Sequence, residues 1–464
     1  MPKRRPFYRS AAIIGILACL TGLPAAAQVT LDAPALRQAA TLALRAGDAQ
    51  RAKVYAEALL TRDANDLNAH LIHARALRDL GQVAPARTAA KRAWRLAKTD
   101  AEKYSAALIT AQVLSTAGKR TRAQLWLRRA AEHAPNDLLR ARAERDFKYV
   151  KKRNPWHTSL TFTLAPNSNI NNGSAQDRSE LNYAISEILF GQPIEYNLTG
   201  SALALSGLEI GGSLRTRYRF HQTPVTAHDV KLGLSYRTFA LSGSAKNTAP
   251  NASGSDFAFG TATLGYGFRR INYDRKGEFS FDGELGQSWY GGSQYASYLR
   301  GAAFQSFSPS RTQRYRFGID IERQFGQATP DLDSVALRGS LTQRLKSGDT
   351  LYLGLSAETT HSAEKDAEYN EVELRTGYVL HKPIMGADVQ FGLGAAYRDY
   401  DVSRHAADGR QDHKIFADVT ATFRQIDYYG FNPSVTLSAS KTDSNIGLYD
   451  VNRIGLSIGI KSAF

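Results

Sequence analysis

Few residues in this chain have the type and spacing to do chemistry. Gly455-Leu456-Ser457-Ile458-Gly459 fits the G-x-S-x-G pattern that presents a serine nucleophile. That pattern works only at a strained elbow between a strand and a helix, and here the neighbouring residues alternate in apolar character as the inside of a strand does. His70 and His73 could share one helix face and hold a metal. No third ligand accompanies them, and the spacing suits histidines packed inside a helical repeat. The carboxylates Asp320, Glu322, Glu371 and Glu373 stand at alternating polar positions, where charges line a wet lumen. No HExxH, P-loop or dinucleotide-binding fingerprint occurs. The expectation is a protein without cofactor, metal or catalytic site, so its function must be sought in surfaces and architecture.

The architecture divides the chain. Its 464 residues are 43% hydrophobic and 22% charged, carry a formal charge of +16 and include one cysteine. That composition excludes a disordered tail and a disulfide-stapled miniprotein. After the first 30 residues nothing approaches the roughly 18 consecutive apolar residues of a spanning helix. From Val29 to about Lys152 apolar residues recur at helical spacing, and from Trp156 onward they alternate with period two. Residues 28–153 hold 25 Lys and Arg against 12 Asp and Glu, whereas residues 154–464 hold 30 against 31. The basic character therefore lies almost wholly in the helical half.

That half repeats. Gly47, Gly81 and Gly118 recur at intervals of 34 and 37 residues. Each has an alanine seven residues before it (Ala40, Ala74, Ala111) and another five after it (Ala52, Ala86, Ala123). Small residues let antiparallel helices approach, and the glycine ends the first helix in a conformation that a Cβ resists. The period resembles tetratricopeptide repeats, as three helix pairs over about residues 34–150, with Ala134-Pro135-Asn136 at a repeat end. An irregular Ala-rich stack of α-hairpins is the alternative. Lys91, Arg92, Arg95, Arg120, Arg122, Arg128 and Arg129 form the densest basic cluster and are the candidate residues for facing a bound partner. Their partners would be acidic polypeptide segments or anionic lipid heads, and not nucleic acid, for which no base-reading motif is present.

In the second half Tyr315, Phe317, Ile319 and Ile321 interleave with Arg316, Gly318, Asp320 and Glu322; Ile454, Leu456, Ile458 and Ile460 interleave with Arg453, Gly455, Ser457 and Gly459. A soluble sandwich shows the same alternation, but its strands are usually about 5 or 6 residues long. Here the segments are longer and suit tilted strands crossing an apolar band about 25 Å tall. They fall at 156–165, 204–220, 229–240, 256–270, 277–290, 295–308, 313–325, 333–345, 350–360, 369–381, 387–400, 412–425, 431–441 and 448–464. These fourteen predict a closed antiparallel transmembrane β-barrel after an α-solenoid. The longest connections (166–203, 241–255, 401–411) follow odd-numbered strands and should face outward, with the short turns and the solenoid on the periplasmic side.

Lys3, Arg4, Arg5 and Arg9, the apolar run Ala11–Leu20 and Leu23-Pro24-Ala25-Ala26-Ala27 have the layout of a secretory signal cleaved after Ala27. A lipoprotein signal with Cys19 as the modified residue is the alternative. The expected domains are a signal peptide (1–27), a periplasmic tetratricopeptide-like α-solenoid (28–153) and an outer-membrane barrel (154–464).

Trp156 opens the barrel, and its first segment runs into Pro166-Asn167-Ser168-Asn169-Ile170-Asn171. Phe431-Asn432-Pro433 and Thr442-Asp443-Ser444-Asn445-Ile446-Gly447 stand near the other end. The final strand carries Gly459 and ends on Phe464, which resembles the C-terminal signal of bacterial outer-membrane barrels, with Ser462 where an apolar residue is usual. Together these segments resemble the surface lipoprotein assembly modulator (Slam) family, whose members join a periplasmic tetratricopeptide-like domain to a 14-stranded outer-membrane barrel. The resemblance implies a translocator of lipoproteins, or of related haem- or metal-scavenging secreted proteins, to the cell surface. Its implied partners are that cargo, outer-membrane lipid, periplasmic chaperones and the barrel assembly machinery. The alternative is an exopolysaccharide export porin, which also pairs such repeats with a barrel. Asn167, Asn169, Asn171 and Asn172 suit a turn at the outer rim, because asparagine tolerates left-handed backbone and caps its own turn.

Overall fold

The computed structural model describes residues 31–462. The expected signal segment with Cys19, and the terminal Phe464, lie outside the described residues. The chain divides into two compact units, one ending at Leu96 and one beginning at Ala97.

The first unit holds helices α1 (Ala33–Arg45), α2 (Ala49–Arg62), α3 (Leu67–Asp79) and α4 (Val83–Leu96). Asp32, Asp48 and Asp66 cap α1 to α3, each carboxylate accepting a backbone N–H three residues on. Asp66 also accepts from Arg37 at 2.7 Å. Burial alone would raise its pKa, but the Ala69 N–H and the Arg37 guanidinium outweigh that effect and hold it below the usual carboxylate range. Gly47 and Gly81 lie at φ +80° and +75°. After each, the next N–H reaches back to close the helix, Asp48 to the Ala43 carbonyl and Gln82 to that of Leu77. Ala40, Ala52, Ala74 and Ala86 are fully buried, as the small-residue spacing requires.

The second unit begins with α5 (Asp100–Thr116), α6 (Arg120–Glu132) and α7 (Asp137–Arg153). Gly118 repeats the left-handed closure, with Lys119 N–H on the Leu114 carbonyl, and Ala111 and Ala123 are buried. Asn154-Pro155 then leads into the first strand.

Fourteen strands follow: β1 (Trp156–Asn167), β2 (Gly207–Gln222), β3 (Thr226–Leu241), β4 (Phe259–Ile271), β5 (Glu278–Tyr290), β6 (Ser293–Phe307), β7 (Gln313–Gly326), β8 (Leu332–Arg344), β9 (Thr350–His361), β10 (Asn370–Val379), β11 (Ala387–Tyr400), β12 (Arg410–Phe423), β13 (Phe431–Ser444) and β14 (Val451–Ser462). Each pairs antiparallel with its sequence neighbours, and β14 meets β1, so the sheet closes into a barrel. Every predicted segment is a barrel strand. β2, β4 and β14 start three residues later than expected, and a one-turn helix occupies the expected start of the last two, at Gly254–Phe257 and Gly447–Tyr449.

The alternation places apolar side chains outside and polar ones inside. Phe317 (53%), Leu337 (61%), Leu374 (54%), Ile415 (59%) and Ile460 (65%) are more exposed than half, an arrangement that is stable only if hydrocarbon covers them. Aromatic residues ring both edges of this band, Trp156, Tyr218 and Phe220 near the short turns and Tyr236, Tyr290 and Phe325 near the opposite rim. Helices α6 and α7 lie at the short-turn end. The long rim connection 168–206 holds structure that the sequence reading did not foresee, a two-stranded sheet (Arg178–Glu180 with Glu195–Asn197) and a helix (Tyr183–Phe190).

Placing a charge on the outer face should therefore cost far more than placing one in the lumen. Leu374→Arg, near the middle of β10, should destabilise the barrel by about 2–4 kcal/mol in bilayers. Ser356→Arg, facing inward on β9, should shift the urea midpoint little. Equal midpoints for the two variants would contradict the lipid-facing assignment.

Candidate functional site

Three constellations stand apart from the repetitive wall: a clamp at the rim, a charged lumen, and a latch at the turn end.

The clamp is built from the asparagine segment after β1. Asn169 is fully buried, and its Nδ2 donates to the Gly173 carbonyl (2.8 Å) and the Asn452 carbonyl (3.3 Å). Its Oδ1 accepts the Gly173 N–H at 3.1 Å. Asn171 Nδ2 donates to the Ser201 and Leu203 carbonyls, and its Oδ1 accepts from Leu205 N–H. Asn172 adopts left-handed backbone at φ 57° and receives Arg453, whose Nε also donates to the Asn169 carbonyl at 2.9 Å. Ser168 and Ile454 exchange two hydrogen bonds, one of them through the Ser168 hydroxyl, at 2.8 and 3.0 Å. Ile170 packs with Leu205 and Phe239 in a small apolar cluster. The structure thus brings Asn167 to Asn171 together as one network that ties the start of the rim connection to the last strand; Trp156 lies at the opposite end of β1, against Tyr218. Pro166 stays in the ladder opposite Leu208.

Inside the barrel the carboxylates meet arginines from neighbouring strands. Asp320 pairs with Arg338 at 2.8 Å, Glu322 with Arg300 at 2.6 Å and Glu371 with Arg398 at 2.7 Å. Glu373 lines a cavity with Arg316, Arg338 and Arg375. Three inward aromatic residues each face an inward glycine on the next strand: Tyr298 opposite Gly286, Phe304 opposite Gly318, and Phe416 opposite Gly394. A Cβ on any of these glycines would collide with the ring, so the glycines let the rings lie along the wall. Cations cover the rings in turn, Arg316 over Phe304 at 4.1 Å and Lys414 over Phe416 at 5.4 Å.

The latch centres on Arg128 of α6. Its side chain is buried, donates from Nη1 to the Tyr429 and Gly430 carbonyls (3.0 and 2.8 Å) and from Nη2 to the Ser462 hydroxyl at 2.7 Å. The guanidinium sits between the rings of Phe147 and Phe431, at 4.7 and 4.1 Å. Burial lowers its pKa, but a guanidinium titrates so high that it stays charged. Glu132 accepts the Tyr429 N–H at 2.9 Å, and Arg140 reaches Asp427 at 3.2 Å. Tyr429 stands at φ 53°, a region costly for a residue with a Cβ, and α6 fixes it through both its N–H and its carbonyl.

This corrects the reading of Arg128 as facing a bound partner: desolvated and fully engaged with the barrel, it has no surface to offer. Within the first unit Lys91, Arg92 and Arg95 are exposed; within the second, Arg122 and Arg129 are exposed and Arg120 is half-buried. Arg120 lines, with Lys151, Lys152, Arg217 and Arg219, a basic pocket between α7 and the first two strands. Arg217 and Arg219 were not singled out from the sequence, where arginines on a strand's polar face look like ordinary lumen charges. The one sign of Arg128's role was its place on the buried stripe of α6, beside Leu127 and Ala131.

His70 bonds the Ala64 carbonyl through Nε2 at 3.0 Å, and His73 lies 3.4 Å from Glu57. Ser457 sits in an unbroken ladder opposite Thr436, so no nucleophile elbow surrounds it. Gly459, also on this ladder, lies opposite Ser434.

Asn169→Ala should leave the carbonyls of Gly173 and Asn452 and the Gly173 N–H without their side-chain partner, costing about 1–3 kcal/mol. Limited proteolysis should then cut within 168–206 at protease levels that spare the parent protein; unchanged cleavage would contradict the clamp.

The model of the family described as "Surface lipoprotein assembly modifier" matches residues 234–464. No curated protein matches the chain. Among solved structures, the helical region is similar to the type III secretion chaperone SycD of Yersinia enterocolitica in complex with a peptide of the translocator YopD, at 19% identity over 27% of this chain and 98% of that one, with a TM-score of 0.24. It is also similar to the first TPR domain of human RPAP3, at 16% identity over 26% of this chain and 89% of that one, with a TM-score of 0.23. The barrel is similar to a BenF-like porin from Pseudomonas fluorescens Pf-5, at 10% identity over 66% of this chain and 98% of that one, with a TM-score of 0.34.

Proposed function

We propose, on the premise that residues 234–464 belong to the surface lipoprotein assembly modifier family, that this protein is a non-catalytic translocator which delivers particular lipoproteins or related secreted proteins through the outer membrane to the cell surface. The observation that carries the reading is the coupling of that family's barrel to a basic helical region through the Arg128 latch. In this reading residues 28–153 lie in the periplasm and receive unfolded or chaperone-held cargo. The exposed cations Lys91, Arg92 and Arg95 on the first unit, and the basic pocket around Arg120 and Arg217 on the second, would attract acidic segments of that cargo. With no P-loop in the sequence, transport draws on differences in binding and on the folding of cargo outside.

The exopolysaccharide-porin alternative calls for open aromatic platforms along the lumen. Phe304 and Phe416 lie under cations, and the neighbouring acidic and basic groups pair with one another, which favours the protein-cargo reading.

Protease accessibility of a lipoprotein encoded beside this protein tests the proposal in intact cells. Cells with the full protein should display it, and cells without should retain it inside. Deleting residues 28–153 should leave a heat-modifiable, folded barrel and abolish display; undiminished display would overturn the division of labour.

A further inference from the structure

The barrel wall is not equally closed all the way round. β1 pairs with β2 over its whole length, from Trp156↔Tyr218 to Asn167↔Gly207, and β14 pairs with β13 from Phe431↔Ser462 to Thr442↔Val451. Between β1 and β14, among the described residues, register is held only at Leu164↔Ile458 and Asn167↔Gly455. Continuing that register toward the turn end would set Phe162 opposite Ile460, a pair that is not formed among the described residues. Both edges nevertheless stand in the apolar band, since Leu160 (58%), Phe162 (63%) and Ile460 (65%) all face outward. Backbone N–H and C=O groups at that depth cannot turn to water, so an unfilled edge is costly and only another strand satisfies it.

The two ends of this seam are held differently. At the rim it is closed by Ser168 on Ile454 and by Arg453 on Asn169. At the turn end β14 is tied to the helical side, where Arg128 donates to the Ser462 hydroxyl. β1, for its part, follows α7 directly after Asn154-Pro155. Each edge is thus tied to its own helix, β1 to α7 through the chain and β14 to α6 through Arg128, and the strained Tyr429 turn is held by α6 as well.

We propose that the turn-side half of the β1–β14 seam is a strand-accepting edge, gated by Arg128, whose occupant is an extended segment of the transported polypeptide with alternating apolar and polar residues. The outward neighbours Phe162 and Ile460 select apolar side chains on the lipid side. Ser159, Thr161 and Gly459, small and inward, leave room for side chains on the lumen side. Main-chain pairing makes the recognition tolerant of sequence, as an added strand in a sheet generally is. The nature of the occupant rests on the function proposed above; the existence of the edge does not.

The test uses the full mature chain in phosphatidylcholine liposomes, with a benzophenone amino acid replacing Phe162 or, as a control, the outward Leu393 of β11. The probe is a biotinylated peptide with the sequence of residues 451–462, and a scrambled peptide is its comparison. Phe162 should cross-link the probe in preference to both controls. Labelling should rise about fivefold in Arg128→Ala, as expected for loss of one charge-assisted clamp. Ser462→Ala, which removes a single bond of the latch, should raise it less and serves if Arg128→Ala fails to fold. A Phe162→Cys/Ile460→Cys disulfide, with the benzophenone moved to Leu160, should abolish labelling until it is reduced. Equal labelling at Phe162 and Leu393, or labelling indifferent to the disulfide, would overturn the proposal. Cross-links between two copies instead of to the peptide would overturn the occupant. Display of cargo without docking would sink the edge and spare the transport reading, and docking without display would do the reverse.

Discussion

A polypeptide that enters hydrocarbon must pair its own backbone, because no water is there to do it, and each group left unpaired costs several kcal/mol. Closure of the fourteen-strand sheet answers that constraint, and the rest of the molecule follows from it. The outward alternation exposes leucine, isoleucine and phenylalanine in a band bounded by aromatic residues, and the inward alternation gathers arginines and carboxylates that neutralise one another across neighbouring strands. The same constraint makes the β1–β14 junction the informative place in the wall. It is the join between the ends of the chain's sheet, and among the described residues the two strands are in register only near the rim.

The closed barrel, its outward apolar skin and the match of residues 234–464 to the surface lipoprotein assembly modifier model underlie the proposed outer-membrane location and role in surface lipoprotein assembly. Helix α6 and the barrel, both in the second unit, are joined by more than the chain that links α7 to β1. Arg128 carries its charge into a site lined by Phe147 and Phe431 and gives three hydrogen bonds there to the barrel. A buried cation of this kind is costly to strip of partners, so α6 and the β12–β13 turn move together or separate at considerable expense.

Much of this was legible in the sequence, and the reasons differ by level. Period-two alternation over long segments identified every barrel strand, because a wall between lipid and water leaves each position only one face. Glycines 47, 81 and 118 with their flanking alanines located the helix pairs, since only a left-handed closure and a Cβ-sized contact explain that spacing. The asparagines after β1 were legible as turn formers, and Asn172 does adopt left-handed backbone. Their reach across to Asn452 and Arg453 was not, because contacts between residues about 280 positions apart leave no local pattern. Arg128 was misread for the same reason. Beside Arg129 it looks like one more surface charge, and only the turn carbonyls at 429 and 430 reveal what it binds. The helix Tyr183–Phe190 was hidden in a connection too long to be assigned by turn chemistry.

The claim on which the account stands is that the outer skin of the barrel meets lipid. Single nitroxide labels scanned along residues 451–462 of the reconstituted protein measure it directly, by comparing collision with oxygen, which concentrates in hydrocarbon, and with a water-soluble nickel complex. Oxygen access should peak at Ile454, Leu456, Ile458 and Ile460 and nickel access at Arg453, Gly455 and Ser457, the two profiles alternating in opposite phase. Profiles in the same phase, or oxygen access that stays low at the isoleucines, would contradict it.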